Sequence, residues 1–139
     1  MSRTIATAMW GVVWLAVVLS AQKRGTIRLP STSPTDGPQM FHAYCADCHG
    51  RDAKGNGPLV VVLKGTPPDL TTLAKRNGGK FPGKKVSATV RGESSPAAHG
   101  SREMPVWGPV FRKMGKEKKG DPELRIKTLT SYLASLQEH

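Results

Sequence analysis

The chain has 139 residues, enough for one domain, and it is basic, with 21 Lys and Arg against 10 Asp and Glu and a formal net charge of +11. Hydrophobic residues make up 37% and aromatics 6%, so the core is modest, and small domains of that kind usually need a disulfide, metal or cofactor. Two cysteines exclude a multi-disulfide scaffold and a four-cysteine zinc site. The basic balance bears on partners and solubility, not on fold.

Arg3 precedes an uncharged apolar run of 12 residues, Ala8 to Leu19, followed by Ser20 and Ala21. That length suits the core of an export signal and is short for a membrane span. Residues 1–21 are therefore expected to be a signal peptide, with an uncleaved anchor as the rival and a buried core helix behind it. Lys23 and Arg24 lie just past the run, and positive charge there resists easy export. Residues 22–35, with Pro30, Ser31, Thr32, Ser33 and Pro34, read as a flexible linker. The folded domain is expected over 36–139.

Residues 36–48 read as a helix capped by Thr35 or Asp36, with Met40, Phe41, Tyr44 and Cys48 on one apolar face. Gly50 to Gly57 is a turn-rich loop. Pro58 to Leu63 is ambiguous between a strand and a buried loop. Asp69 is placed to cap a short helix over Leu70 to Arg76, ended by Asn77, Gly78 and Gly79. Gly83 to Arg91 is a further short helix with Gly92 as its stop. Gly92 to Glu103 is a loop by composition. Gly108 and Pro109 open a helix carrying Val110, Phe111 and Met114. The last helix is the clearest: Asp121 caps it, Pro122 suits its first position, and Ile126, Leu129, Tyr132, Leu133 and Leu136 share one face. No alternating strand pattern of useful length occurs. The fold class is all-α, with short helices and long loops.

The chemistry rests on Cys45-Ala46-Asp47-Cys48-His49. Two thiols three apart on a helical turn can reach the two vinyl groups of one porphyrin, and the adjacent histidine then lies beneath the iron. C-x-x-C-H is the attachment signature for haem c. A zinc site would need a second ligand pair. A thioredoxin-like pair would need a strand–helix context. A plain disulfide is the remaining rival in an exported chain. The covalent haem explains motif and thin core together.

His49 supplies one iron ligand. Met40, His42, His99, Met104, Met114 and His139 are the other His and Met residues to weigh for the second. Met40 and His42 share the motif's helix, Met114 follows a core-like helical face, and His139 is terminal. Met104 is the best placed, after a Gly-, Ser- and Pro-containing loop, with Pro105 biasing it to an extended backbone. His99, five residues earlier, is the rival, and would lower the potential.

The sequence resembles a class I c-type cytochrome, the small single-haem bacterial kind, over most of residues 36–139. Gly37-x-x-x-Phe41-x-x-x-Cys45 is similar to that family's first helix, where the glycine admits a close crossing by the last helix and the aromatic packs on one there, the place of Tyr132. Gly57-Pro58-Leu59 resembles the segment after the motif. By that resemblance the Pro58 carbonyl accepts the His49 ring N–H and Leu59 packs on the haem. Pro67-Pro68-Asp69-Leu70-Thr71 also looks like these proteins. Met104-Pro105-x-Trp107 resembles the distal Met-Pro segment, which strengthens His49 and Met104 as the iron ligands and brings the Trp107 N–H towards a haem propionate. The chain departs from the simplest pattern in a basic stretch, Pro109 to Gly120.

The resemblance implies an electron-transfer protein, not an enzyme, exported to the periplasm or a membrane. Lysines and arginines at 75, 76, 80, 84 and 85 and from 112 to 119 suit docking to acidic redox partners. No nucleic-acid motif is present. Membrane association through the N-terminal segment or a partner stays open. The competing functions are a haem subunit of a larger dehydrogenase or oxidase complex and, if Met104 does not ligate, an open-iron enzyme or gas sensor; His99 and Arg102 lie close in sequence.

Overall fold

The computed structural model describes residues 29–93, 104–118 and 121–138, with side chains through 115 in the second stretch. The expected signal segment 1–21, residues 22–28, His99, Arg102 and His139 lie outside the described residues. Among the described residues all regular structure is helical, and no helix is long and apolar enough to cross a membrane.

Helix α1 spans Gly37–Tyr44. Asp36 caps it, its Oδ1 accepting from the Gln39 N–H at 2.8 Å, and Pro38 occupies the first turn, where no intrahelical donor is needed. The single helix expected over 36–48 breaks at Cys45 and resumes as α2, Ala46–His49. The break is local: Cys45 has φ −119°, and the Cys48 N–H bonds to the Cys45 carbonyl three residues back.

The segment after the loop is neither strand nor buried. Pro58–Val62 forms a 3-10 helix with Val61 89% and Val62 72% exposed. The Gly57 N–H bonds to the Cys48 carbonyl at 3.2 Å, and Pro58 then starts a helical turn pointing away from the body. The helix expected over 70–76 is also replaced, by turns and a 3-10 helix at Lys75–Asn77. The Asp69 carboxylate accepts from both the N–H and the Oγ1 of Thr71, at 2.8 and 2.6 Å. Such local bonds compete with helix formation.

Helix α3 is Gly83–Arg91, stopped by Gly92 at φ 83°. Helix α4, Trp107–Lys118, takes up most of the basic stretch expected to be an insertion. Phe111 and Met114 are in the core, while Arg112 and Lys113 are exposed. Helix α5, Pro122–Ser135, is capped by Asp121, which accepts from the Glu123 N–H at 2.9 Å. Ile126, Leu129 and Leu133 are buried on one face.

Helix α5 packs on α1, α3 and α4. Its closest approach is at Gly37, where a Cβ would lie 2.7 Å from Tyr132 Cβ and 3.1 Å from the Thr128 carbonyl oxygen. One turn on, Phe41 and Tyr132 meet with ring centroids 5.6 Å apart, tilted by 57°, a favourable aromatic geometry.

The part of the linker that is described is not loose. Arg125 on α5 donates from Nη1 to Thr32 Oγ1 at 2.8 Å and from Nη2 to the Thr32 carbonyl at 2.9 Å. Thr32 Oγ1 lies 2.7 Å from Tyr44 Oη, which donates to the Pro30 carbonyl at 2.9 Å. Residues 30–32 are thereby strapped across α1 and α5.

Gly37→Ala is expected to lower stability by about 1–3 kcal/mol, because the added methyl meets a Cβ and backbone, not a movable side-chain end. Denaturant unfolding would measure it; a loss below about 0.5 kcal/mol would show that the crossing can open.

Candidate functional site

The motif turn faces a cavity of about 350 Å³. Cys45, Cys48 and His49 line it, as do Met104 and Trp107. Val86 and Val90 of α3 and Leu129 and Leu133 of α5 supply apolar wall. Helix α1 delivers the motif, α5 closes the space behind it, and α3 and the start of α4 complete the enclosure.

The donor set fits a porphyrin. No disulfide joins Cys45 and Cys48. Burial, with Cys48 adding to it, pushes the Cys45 thiol up to about 12, which keeps it protonated and a poor partner for adventitious disulfide exchange. Among the described residues no group of three or more His, Cys, Asp or Glu converges to hold a bare metal ion. Two thiols, an imidazole and a thioether around one largely apolar space match a haem better than such an ion.

His49 Nδ1 lies 3.4 Å from the carbonyl of Pro68. A carbonyl only accepts, so in this contact Nδ1 carries the proton. This orienting role was expected of Pro58, and the structure moves it to Pro68. Pro58 and Leu59 do not line the cavity, and Leu59 is 45% exposed, so its expected packing on the haem is not found. The reason is the outward 3-10 turn at Pro58–Val62. Pro67 and Pro68 come in instead because Gly55, at φ 80°, admits them: a Cβ there would lie within van der Waals exclusion of the Pro67 carbonyl. The Leu70 N–H bonds to the Ala53 carbonyl at 2.8 Å and the Gly55 N–H to the His49 carbonyl at 2.7 Å, clasping the two loops behind the histidine.

Trp107 is both core and cavity wall. It is 6% exposed, stacks on Phe111 at 5.7 Å and lies 5.3 Å from the Tyr44 ring. Met114 is core, His42 is exposed, and Met40 is fully buried against Arg125. Sequence reasoning missed Pro68, Gly55 and Arg125. The rigid Pro67-Pro68 pair followed by the Asp69–Thr71 turn was a usable signal for the first; Arg125 left none, since an arginine on a helix is ordinarily solvated.

The Asp69 carboxyl is held below its ordinary 3.8, first by the Thr71 hydroxyl. A lowered carboxyl stabilises the fold above its unfolded pKa, and that contribution is lost as pH falls through the folded value. Thr71→Val should therefore lower the Tm at pH 7, with the gap from the parent narrowing as pH falls below ~4. A gap independent of pH would assign the loss to packing alone.

The family model for cytochrome c matches residues 34–137. No curated protein and no solved structure matches the chain. With its helical fold and the two spaced thiols of Cys45 and Cys48 on the wall of one apolar cavity, the chain belongs to the cytochrome c family, haem-binding electron-transfer proteins that hold an iron-containing haem c covalently.

Proposed function

We propose that this protein is an exported single-haem electron carrier whose iron is ligated by His49 and Met104 throughout the redox cycle. The observation that carries this reading is that both side chains line the same cavity as the two motif cysteines. When bound, the haem supplies a one-electron couple between ferric and ferrous iron. The chain does the rest. Pro68 fixes the His49 ring by its Nδ1–H. Pro105 stiffens the backbone carrying the Met104 sulfur. Two permanent ligands leave no coordination position for a substrate, which suits a carrier and not an enzyme. Thioether ligation favours a raised potential.

Lys75, Lys80, Lys84 and Lys85 are exposed, and Arg76 and Lys85 border the cavity. In this reading they steer redox partners with acidic docking surfaces, through attraction that salt screens. Export rests on the apolar segment at residues 8–19.

The test is an absorption spectrum of the haem-loaded protein, oxidised and reduced, beside Met104→Ala. The expected result is a weak near-infrared sulfur-to-iron band in the ferric parent that the variant lacks. A low-spin parent without the band would move the second ligand to His99. A high-spin parent that binds carbon monoxide rapidly would replace the carrier with an open-iron enzyme or sensor.

A further inference from the structure

Arg125 is a charged side chain in the core. It is 2% exposed and carries a guanidinium cation. Among the described residues no carboxylate lies within ion-pair distance of it: the two salt bridges there join Lys54 to Glu138 and Arg91 to Glu123. Among the described residues its partners are neutral, namely both oxygens of Thr32, the Met40 sulfur at 3.6 Å from Nη1, and the face of Phe111 at 6.0 Å. Its Nε has no hydrogen-bond partner. A buried, uncompensated cation is costly, and an apolar side chain of similar volume would pack here at lower cost.

The charge sits one residue behind the cavity wall by three routes. Leu129, which lines the cavity, is one helical turn from Arg125 on the same face of α5. Tyr44, also on the wall, is joined to the guanidinium through the Thr32 hydroxyl. Phe111, under the guanidinium, stacks on Trp107, again a wall residue. Leu129, Phe111 and Trp107, which intervene, are apolar side chains, and a buried charge is screened less by salt than an exposed one.

We propose that Arg125 is a tuning residue whose unneutralised positive charge raises the reduction potential of the haem, a role beyond holding the N-terminal strap. The inference rests on haem occupying this cavity. The ferric centre carries one more positive charge than the ferrous one, so a nearby fixed cation destabilises the oxidised form relative to the reduced form. One electron from an electrode or mediating dye is then accepted at a higher potential, and no proton is required at Arg125.

The experiment is a dye-mediated spectroelectrochemical titration of the haem-loaded protein and four variants. In Arg125→Met the ferrous-to-ferric ratio at fixed electrode potential is expected to fall several-fold, up to about tenfold, which is about 59 mV for a one-electron couple. Arg125→Lys should keep most of the parent potential. Thr32→Val, which loosens the strap and leaves the charge, should lower the Tm with little change in potential. Met40→Glu places a neutralising carboxylate beside the intact guanidinium and should lower the potential as Arg125→Met does. It carries the test if Arg125→Met fails to load haem. Equal falls in Thr32→Val and Arg125→Met would overturn the proposal in favour of a structural clamp. An unchanged potential in Arg125→Met, or in Met40→Glu should that variant carry the test, would overturn it too. Haem attachment and the near-infrared band, read in the same samples, test the cofactor and the ligation separately.

Discussion

The crossing of α1 over α5 at Gly37 is the constraint on which the rest depends. Backbone and Tyr132 Cβ come so close there that no side chain fits between them. That approach sets Phe41 against Tyr132 and positions the helix that runs into Cys45. It also sets the height of Leu129 and Leu133 behind the motif. Helices α1 and α5, far apart in sequence, thereby become two walls of one cavity. Any loosening at Gly37 would be transmitted to the spacing between the thiols and the apolar wall, because packed interiors convert small displacements into lost contacts.

Around that crossing the apolar content divides in two. Met40, Phe111 and Ile126 are nearly or wholly inaccessible to solvent and surround Arg125 or lie beside it. A second set, among them Val86, Val90 and Leu133, fronts the cavity. A chain of this size that leaves a cavity of about 350 Å³ forgoes a large share of its possible burial. A covalently held porphyrin restores that burial, so the cofactor is both the reactive group and a major part of the core.

Charge is handled in two regimes. On the surface, charges act through water and are screened by salt, so exposed lysines and arginines contribute little to stability. Among the described residues one guanidinium, that of Arg125, is buried in the core, where charge interactions depend strongly on position. Between the regimes lies the clasp of loops around Gly55, Pro68 and Asp69. Neutral backbone groups there aim the His49 ring, and the Asp69 carboxylate is held ionised by Thr71.

What the sequence by itself determined was the local chemistry. The Cys45–His49 motif named the cofactor, Asp36 and Asp121 marked helix starts, Gly92 marked a stop, and the face of α5 was readable from its spacing. These depend on short stretches of chain whose physics is complete within a turn or two. Tertiary structure decided the features that depend on residues far apart. Asp69 favoured a turn over a helix once its carboxylate bonded Thr71. The carbonyl facing His49 belongs to Pro68 and not Pro58, because Gly57 bonds back to Cys48 and sends the next residues outwards. The strap at residues 30–32, expected to be loose, is held by an arginine 93 positions away. Nothing local marks such an arginine as buried; only the packing of α1, α4 and α5 removes it from water and makes its charge matter.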